Sequence, residues 1–218
     1  MVLSLKRIDW TWFGLKSLVH LLALAPAASL LYRALHNKLG ADPIAALTHG
    51  TGEWALRLLL LSLAMTPLRK ILNKSWPIRF RRMIGLYAFF YACLHFCVYL
   101  FLDLGSYWSQ IGADIIKRPF ITVGFTAWLL LIPLAVTSNQ WMMRKLKKNW
   151  LKLHKLVYII GVLAVVHYYW LVKSDVREPL IYAGILLALF AVRLVYWYKS
   201  RKPKETAKHG QNPIGSIQ

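Results

Sequence analysis

The chain has 218 residues, 58% of them hydrophobic and 14% aromatic, and a mean hydropathy of +0.45. That is too apolar for a soluble domain of this size and points to an integral membrane protein. The formal charge of +20 does not indicate nucleic acid. Its cations lie in short connectors of an apolar chain, where membrane topology and anionic lipid headgroups account for them.

Apolar runs of the length needed to cross about 30 Å of hydrocarbon as a helix recur at 10–32, 52–68, 83–102, 120–136, 155–172 and 180–198. The pattern predicts an all-α integral membrane protein, a bundle of six transmembrane helices spanning residues 1–200, with 201–218 as a disordered basic cytoplasmic tail. The first run reads as retained rather than cleaved, because Pro26 follows Ala25 among its small residues and the preceding apolar stretch is short. Within the third run, Cys93 and Cys97 flank His95 instead of preceding it as C-x-x-C-H would, so covalent haem attachment is not indicated. No nucleotide-binding glycine motif, Walker loop or internal repeat is visible.

The connectors alternate in charge. With both termini inside, the inner segments carry 19 basic residues, concentrated in 69–82, 144–155 and the tail, whereas the outer loops carry six, Arg33, Lys38, Lys117, Arg118, Lys173 and Arg177. The outer side also holds Asp42, Glu53, Asp103, Asp114, Asp175 and Glu178. Cytoplasmic loops retain Lys and Arg, so the bundle is expected to be N-in and C-in. Lys16, Arg57 and Arg193 fall within runs near their ends and are expected to snorkel.

An imidazole in hydrocarbon is unfavourable unless bonded, which makes the membrane histidines functional candidates. His95 lies 12 residues, roughly 18 Å, from the inner start of the third run, and His167 lies the same distance into the fifth. Two neutral imidazoles at one level are poor partners for each other but good axial ligands for a b-type haem. The plain alternative is a hydrogen bond from each ring to a carbonyl, serine or water. His154, at the inner end of the fifth run, is placed for a second haem, but 13 residues on an ideal helix leave it roughly 140° from His167. The corresponding level of the third run holds Arg81 and Arg82, which suit haem propionates rather than iron. His20 and His49 are reserve candidates; His36 and His209 read as loop residues.

Several stretches, taken in order, resemble one family: GADP at 40–43, TG at 51–52, TPLRK at 66–70, RRMIGLYAFFYACLHFCVY at 81–99, KRPFITVG at 117–124, the stretch TSNQWMMRKLKKNWLKLHKLVYIIGVLAVVHYYW at 137–170, and PLIYAG at 179–184. The chain resembles the MsrQ (YedZ) family, haem-binding membrane subunits of the bacterial periplasmic methionine-sulfoxide reductase system, within the ferric-reductase-like transmembrane group. The resemblance implies a six-helix protein of the bacterial inner membrane that binds one or two haems b, with His95, His154 and His167 matching the family's haem histidines, and also FMN. It implies electrons received from the quinone pool or a cytosolic flavin reductase and passed to a periplasmic molybdopterin subunit that reduces methionine sulfoxide. Such a chain is an electron-transfer subunit of an oxidoreductase complex and not itself the sulfoxide-reducing catalyst. The alternatives are a ferric or cupric reductase and a small non-redox transporter; a transporter would be expected to carry an intramembrane acid, and no Asp or Glu is central in any run.

Overall fold

The computed structural model describes residues 10–105, 107, 109, 111–172 and 175–201. Lys6, Arg7, Lys173, His209 and the tail beyond Arg201 lie outside the described residues. The described chain is all-α: α1 (Trp10–Leu35), α2 (Pro43–Leu72), α3 (Trp76–Val98) running into a π-helical turn (Tyr99–Asp103), α4 (Ile111–Lys117), α5 (Pro119–Val136), α6 (Gln140–Leu146), α7 (Lys148–Leu153), α8 (Leu156–Leu171) and α9 (Arg177–Arg201).

Among the described residues, five segments are long and apolar enough to cross a membrane: α1, α3 with its π turn, α5, the stretch 148–171 and α9. The chain is thus a multi-pass membrane protein by length and composition. The run at 52–68 lies inside α2, which is 30 residues long and is not one of the five. The reason is its position. α2 packs chiefly against α3, and also against α1, α8 and α9, and it buries Leu56, Leu58, Leu59, Leu60, Leu63 and Met65. A helix so covered by neighbours tolerates Glu53 and Arg57, which a lipid-facing helix does not. α2 begins at Pro43 rather than near 52 because the Asp42 carboxylate caps it, accepting from the Ala45 N–H at 2.9 Å, with proline at the first helical position. It ends at Asn73, left-handed at φ 51°.

The core is two helix pairs, α2 with α3 and α5 with α8, meeting along Ala88, Tyr91, Leu131 and Ile160. α1 and α9 flank it; α1 buries only Ala23 among its described residues. Lipid tails are as apolar as leucine, so packing and polar contacts rather than water exclusion hold such helices together. Two of those contacts sit at prolines. Pro26 interrupts α1, and there the buried Tyr91 hydroxyl bridges the helix, accepting from the Ala27 N–H at 2.9 Å and donating to the Ala23 carbonyl at 2.7 Å. Pro67 lacks the N–H that would satisfy the Leu63 carbonyl four residues back, and Arg193 Nη2 of α9 donates to that oxygen instead.

Two of the three cations expected to snorkel make specific contacts within the bundle. Lys16 is exposed. Arg57 donates to Glu53 one turn back in α2 at 2.7 Å and to the Tyr182 hydroxyl of α9 at 2.8 Å, and Arg193 reaches Tyr158 of α8 as well as Leu63 of α2.

Candidate functional site

The two helix pairs leave between them a cavity of about 510 Å³, within the size range of small-molecule sites. His95 of α3 and His167 of α8 both line it. Their ring centres are 6.1 Å apart with planes at 78°. Equal depth along two helices thus becomes side-by-side placement.

Each ring is anchored on its Nδ1 side. His95 Nδ1 donates to the Thr48 carbonyl at 2.9 Å, and His167 Nδ1 donates to the Phe120 carbonyl at 2.6 Å. A carbonyl only accepts, so both rings carry the proton on Nδ1 and keep a lone pair on Nε2. That is the arrangement of a metal-ligating histidine, whose second nitrogen is held by a backbone carbonyl or carboxylate. A glycine of the facing helix makes room for each ring. A Cβ on Gly52 would stand 3.1 Å from His95 Cε1 and Nδ1, and one on Gly124 would stand 2.7 Å from the same atoms of His167.

Among the described residues, no three His, Cys, Asp or Glu side chains converge as a metal site. Two imidazoles alone hold a bare ion poorly, but they are a donor pair that would suit a haem iron. The rest of the cavity suits a flat apolar group: Phe96 stacks on Trp128 with ring centres 4.4 Å apart, and Leu59, Ala92, Leu131 and Ala164 line the walls. The residues present therefore fit a haem.

Polar groups gather toward the Asp42 end. His49, Asp42, Asp103 and Arg118 line it; Arg118 pairs with Asp114 at 2.9 Å, and Asp114 accepts from Tyr99 of the π turn at 2.8 Å. On the other side Tyr168, beside His167, donates to Glu178 at 2.7 Å.

The other candidates lie elsewhere. His154 closes α7 and does not line the cavity. Its ring stacks on Trp150 at 3.9 Å, and Nδ1 donates to the Trp150 carbonyl at 3.1 Å. Ser138 Oγ is 3.5 Å from Nε2, but its one proton goes to the Leu134 carbonyl at 2.6 Å. The 140° offset drawn from a continuous helix does not apply, because the chain turns at His154 and Lys155 before α8 begins. Arg81 and Arg82 sit at the opposite end of α3 from His95 and do not line the cavity; Arg82 is exposed, and Arg81 is half-buried with a long 3.4 Å contact to the Thr66 hydroxyl. His20 accepts from or donates to the Tyr87 hydroxyl at 2.6 Å, away from the cavity. His36 bonds its own helix at the Tyr32 carbonyl. Cys93 and Cys97 are free thiols.

Reasoning from residue types passes over Thr48, Phe120, Gly52 and Gly124. The carbonyls carry no sequence signal, but the glycines do. Each sits in a helix interior, where glycine costs about 1 kcal/mol relative to alanine and so calls for a packing reason.

The sequence family described as "Ferric reductase like transmembrane component" matches residues 51–165, which include the α2 glycine, His95, His154 and the α5 glycine. The chain is 55% identical over 204 residues to the "Protein-methionine-sulfoxide reductase heme-binding subunit MsrQ" of Xanthomonas axonopodis pv. citri, covering 91% of this chain and 93% of that one. It is 45% identical over 199 residues to the protein of the same name from Herminiimonas arsenicoxydans, covering 90% and 91%. No solved structure matches it. At that identity over nearly the whole length, the chain belongs to the MsrQ family of heme-binding subunits, within the ferric-reductase-like transmembrane proteins.

Proposed function

We propose that the chain is a transmembrane b-type haem protein of the bacterial inner membrane that passes electrons to a periplasmic molybdopterin methionine-sulfoxide reductase subunit, for repair of oxidised periplasmic proteins. The observation that carries this reading is the His95–His167 pair: two half-buried imidazoles 6.1 Å apart, each proton-locked by a backbone carbonyl so that Nε2 is available. The relatives' name, a heme-binding subunit of a protein-methionine-sulfoxide reductase, supports the cofactor and the partner.

In this reading α2 is the sixth span, both termini are cytoplasmic, residues 1–200 form the haem domain, and 201–218 are a cytoplasmic tail. His95 and His167 would hold one haem, and His154 would serve a second, separate site. A bound haem supplies reversible one-electron storage. The chain's residues do the rest. The Thr48 and Phe120 carbonyls fix the tautomer and aim each imidazole. Phe96, Trp128 and the leucine walls keep water from the site, which limits side reactions of the stored electron. With His95 and His167 both engaged, a haem held here would offer a sulfoxide no binding position, so reduction of methionine sulfoxide belongs to the partner in this reading. Electrons enter from the quinone pool or a cytosolic flavin reductase, and FMN is the expected additional cofactor of the family.

The test is the visible spectrum of the purified, dithionite-reduced protein with a pyridine haemochrome count. The wild type should be red and low-spin; His95→Ala and His167→Ala should each remove the same haem, and His154→Ala should act on a different fraction of haem. A colourless protein from haem-replete cells, or an unchanged spectrum in His95→Ala, overturns the reading.

A further inference from the structure

α1 and α3 meet through long side chains rather than closely packed backbones: Trp12 on Phe80, His20 on Tyr87, and Tyr91 at the turn around Pro26. His20 is the odd member. It is exposed, between Leu18 and Leu21, which are 50% and 67% exposed. It lies 10 residues, about 15 Å, from the start of a 26-residue helix and about 22 Å from its end. At that depth in a span of about 30 Å of hydrocarbon, neither headgroups nor bulk water reach it. Its Nδ1 is 2.6 Å from the Tyr87 hydroxyl, with the ring centres 5.6 Å apart. Nε2 has no hydrogen-bond partner among the described residues.

A tie between α1 and α3 explains only half of this ring. Tyr91 already supplies one, a turn further along both helices, and a tie needs a single ring nitrogen. The other nitrogen is left in lipid, where an unpaired polar atom is costly, and it calls for a partner that is itself dissolved in the membrane. The chemistry of the pair narrows that partner. A hydroxyl both donates and accepts. When Tyr87 donates to Nδ1, Nε2 carries the ring proton and donates; when Nδ1 donates to the Tyr87 oxygen, Nε2 keeps its lone pair and accepts. The site therefore matches an oxygen that is a carbonyl in one state of its molecule and a hydroxyl in another. Phospholipid headgroups stay at the surfaces, and acyl chains offer no such atom. The rings of Tyr87 and Phe90, edge to face with centres 6.4 Å apart, add aromatic surface that suits a flat ring beside the imidazole.

We propose that His20 and Tyr87 form a binding site, open to lipid between α1 and α3, for the head ring of a membrane-soluble quinone or hydroquinone. His20 Nε2 bonds one ring oxygen, and Tyr87 sets on which nitrogen the imidazole proton lies. Tyr87, Tyr91 and His95 follow at four-residue intervals along one side of α3, so the site stands about 12 Å along that helix from the cavity shared with His167. The purpose of such a site rests on the reading that electrons enter from the quinone pool; the binding itself does not.

The decisive measurement uses the full chain in phosphatidylcholine nanodiscs, a decyl-tailed dimethoxy-methyl-benzoquinone as the probe, and empty nanodiscs of equal lipid content as the blank. Wild type should bind the probe saturably above the blank, and decylbenzene, which lacks the ring oxygens, should not displace it. His20→Leu should weaken binding by about tenfold, the loss one hydrogen bond represents. Tyr87→Phe should weaken it several-fold, and His20→Gln, which keeps a donor and an acceptor, should retain most of it. A tie between helices alone predicts a different pattern: a lower thermal midpoint in His20→Leu and Tyr87→Phe with probe binding unchanged. That pattern, or a wild type that binds no more than the blank, overturns the site. Should His20→Leu fail to insert, Tyr87→Phe decides between the same two patterns. Haem is counted separately on the same samples. A colourless wild type that binds the probe would refute the haem reading alone, and a red one that does not bind it would refute this site alone.

Discussion

Gly124→Ala separates a helix seen as a helix from a helix seen as half of a ligand site. Alanine in a helix interior is favoured over glycine by about 0.5–1 kcal/mol, so the backbone alone expects stabilisation. The structure expects the reverse. The new Cβ would stand 2.7 Å from His167 Cε1 and Nδ1 and 3.1 Å from Cγ. Ordinary carbon contact begins near 3.4 Å, so the ring must retreat by about 0.7 Å, and the cost of such overpacking is about 1–3 kcal/mol. It cannot retreat freely, because Nδ1 is tied to the Phe120 carbonyl at 2.6 Å. A shift of about 0.7 Å is a third of a metal–nitrogen bond of about 2.0 Å, enough to weaken axial ligation by His167. The expected outcome is a reduced haem-to-protein ratio and a low-spin to high-spin change in the absorbance of the haem that remains. Gly52→Ala, where the same atoms of His95 are 3.1 Å away, requires about 0.3 Å and should produce a smaller change in the same direction. Spectra of the three proteins, prepared side by side with thermal unfolding followed at the haem band, decide it. If Gly124→Ala kept wild-type haem content and spin state and melted higher, the ring would not be a ligand held against α5.

Three further outcomes are expected. Tyr91→Phe removes the hydroxyl that bridges the Ala27 N–H and the Ala23 carbonyl in α1; leaving buried backbone groups unpaired should cost about 1–3 kcal/mol, seen as a lower melting midpoint, and an unchanged midpoint would mean that α1 repairs its own ladder at Pro26. A reporter after Gln218 or near Lys147 should behave as cytoplasmic and one near Gly112 as periplasmic, and a reversed pattern would contradict the charge bias of the connectors. In stopped-flow absorbance, reduced haem should be reoxidised by the periplasmic molybdopterin subunit supplied with a methionine sulfoxide and not by the sulfoxide alone; reoxidation by ferric chelates but never by the partner would favour a metal reductase.

Much of the protein follows from quantities that run along the chain. Depth in a helix advances about 1.5 Å per residue, so the equal levels of His95 and His167, the membrane character of the apolar runs and the segregation of charge are legible without coordinates. The cap at Asp42–Pro43 was legible too, and would have placed the start of α2 correctly. What tertiary structure alone decides is azimuth and partnership. The fall of Thr48 beneath His95 and of Phe120 beneath His167, separated from their histidines by 47 residues in both cases, depends on how α2 meets α3 and how α5 meets α8. So does the use of Gly52 and Gly124 as seats for imidazoles. The same holds for the intramembrane arginines: sequence placed Arg57 and Arg193 near helix ends, where snorkelling costs least, but only the packing of α9 against α2 and α8 brought Arg193 to the carbonyl that Pro67 leaves open. In hydrocarbon a polar group bonds to whichever partner the neighbouring helix presents, and no local pattern records which one that is.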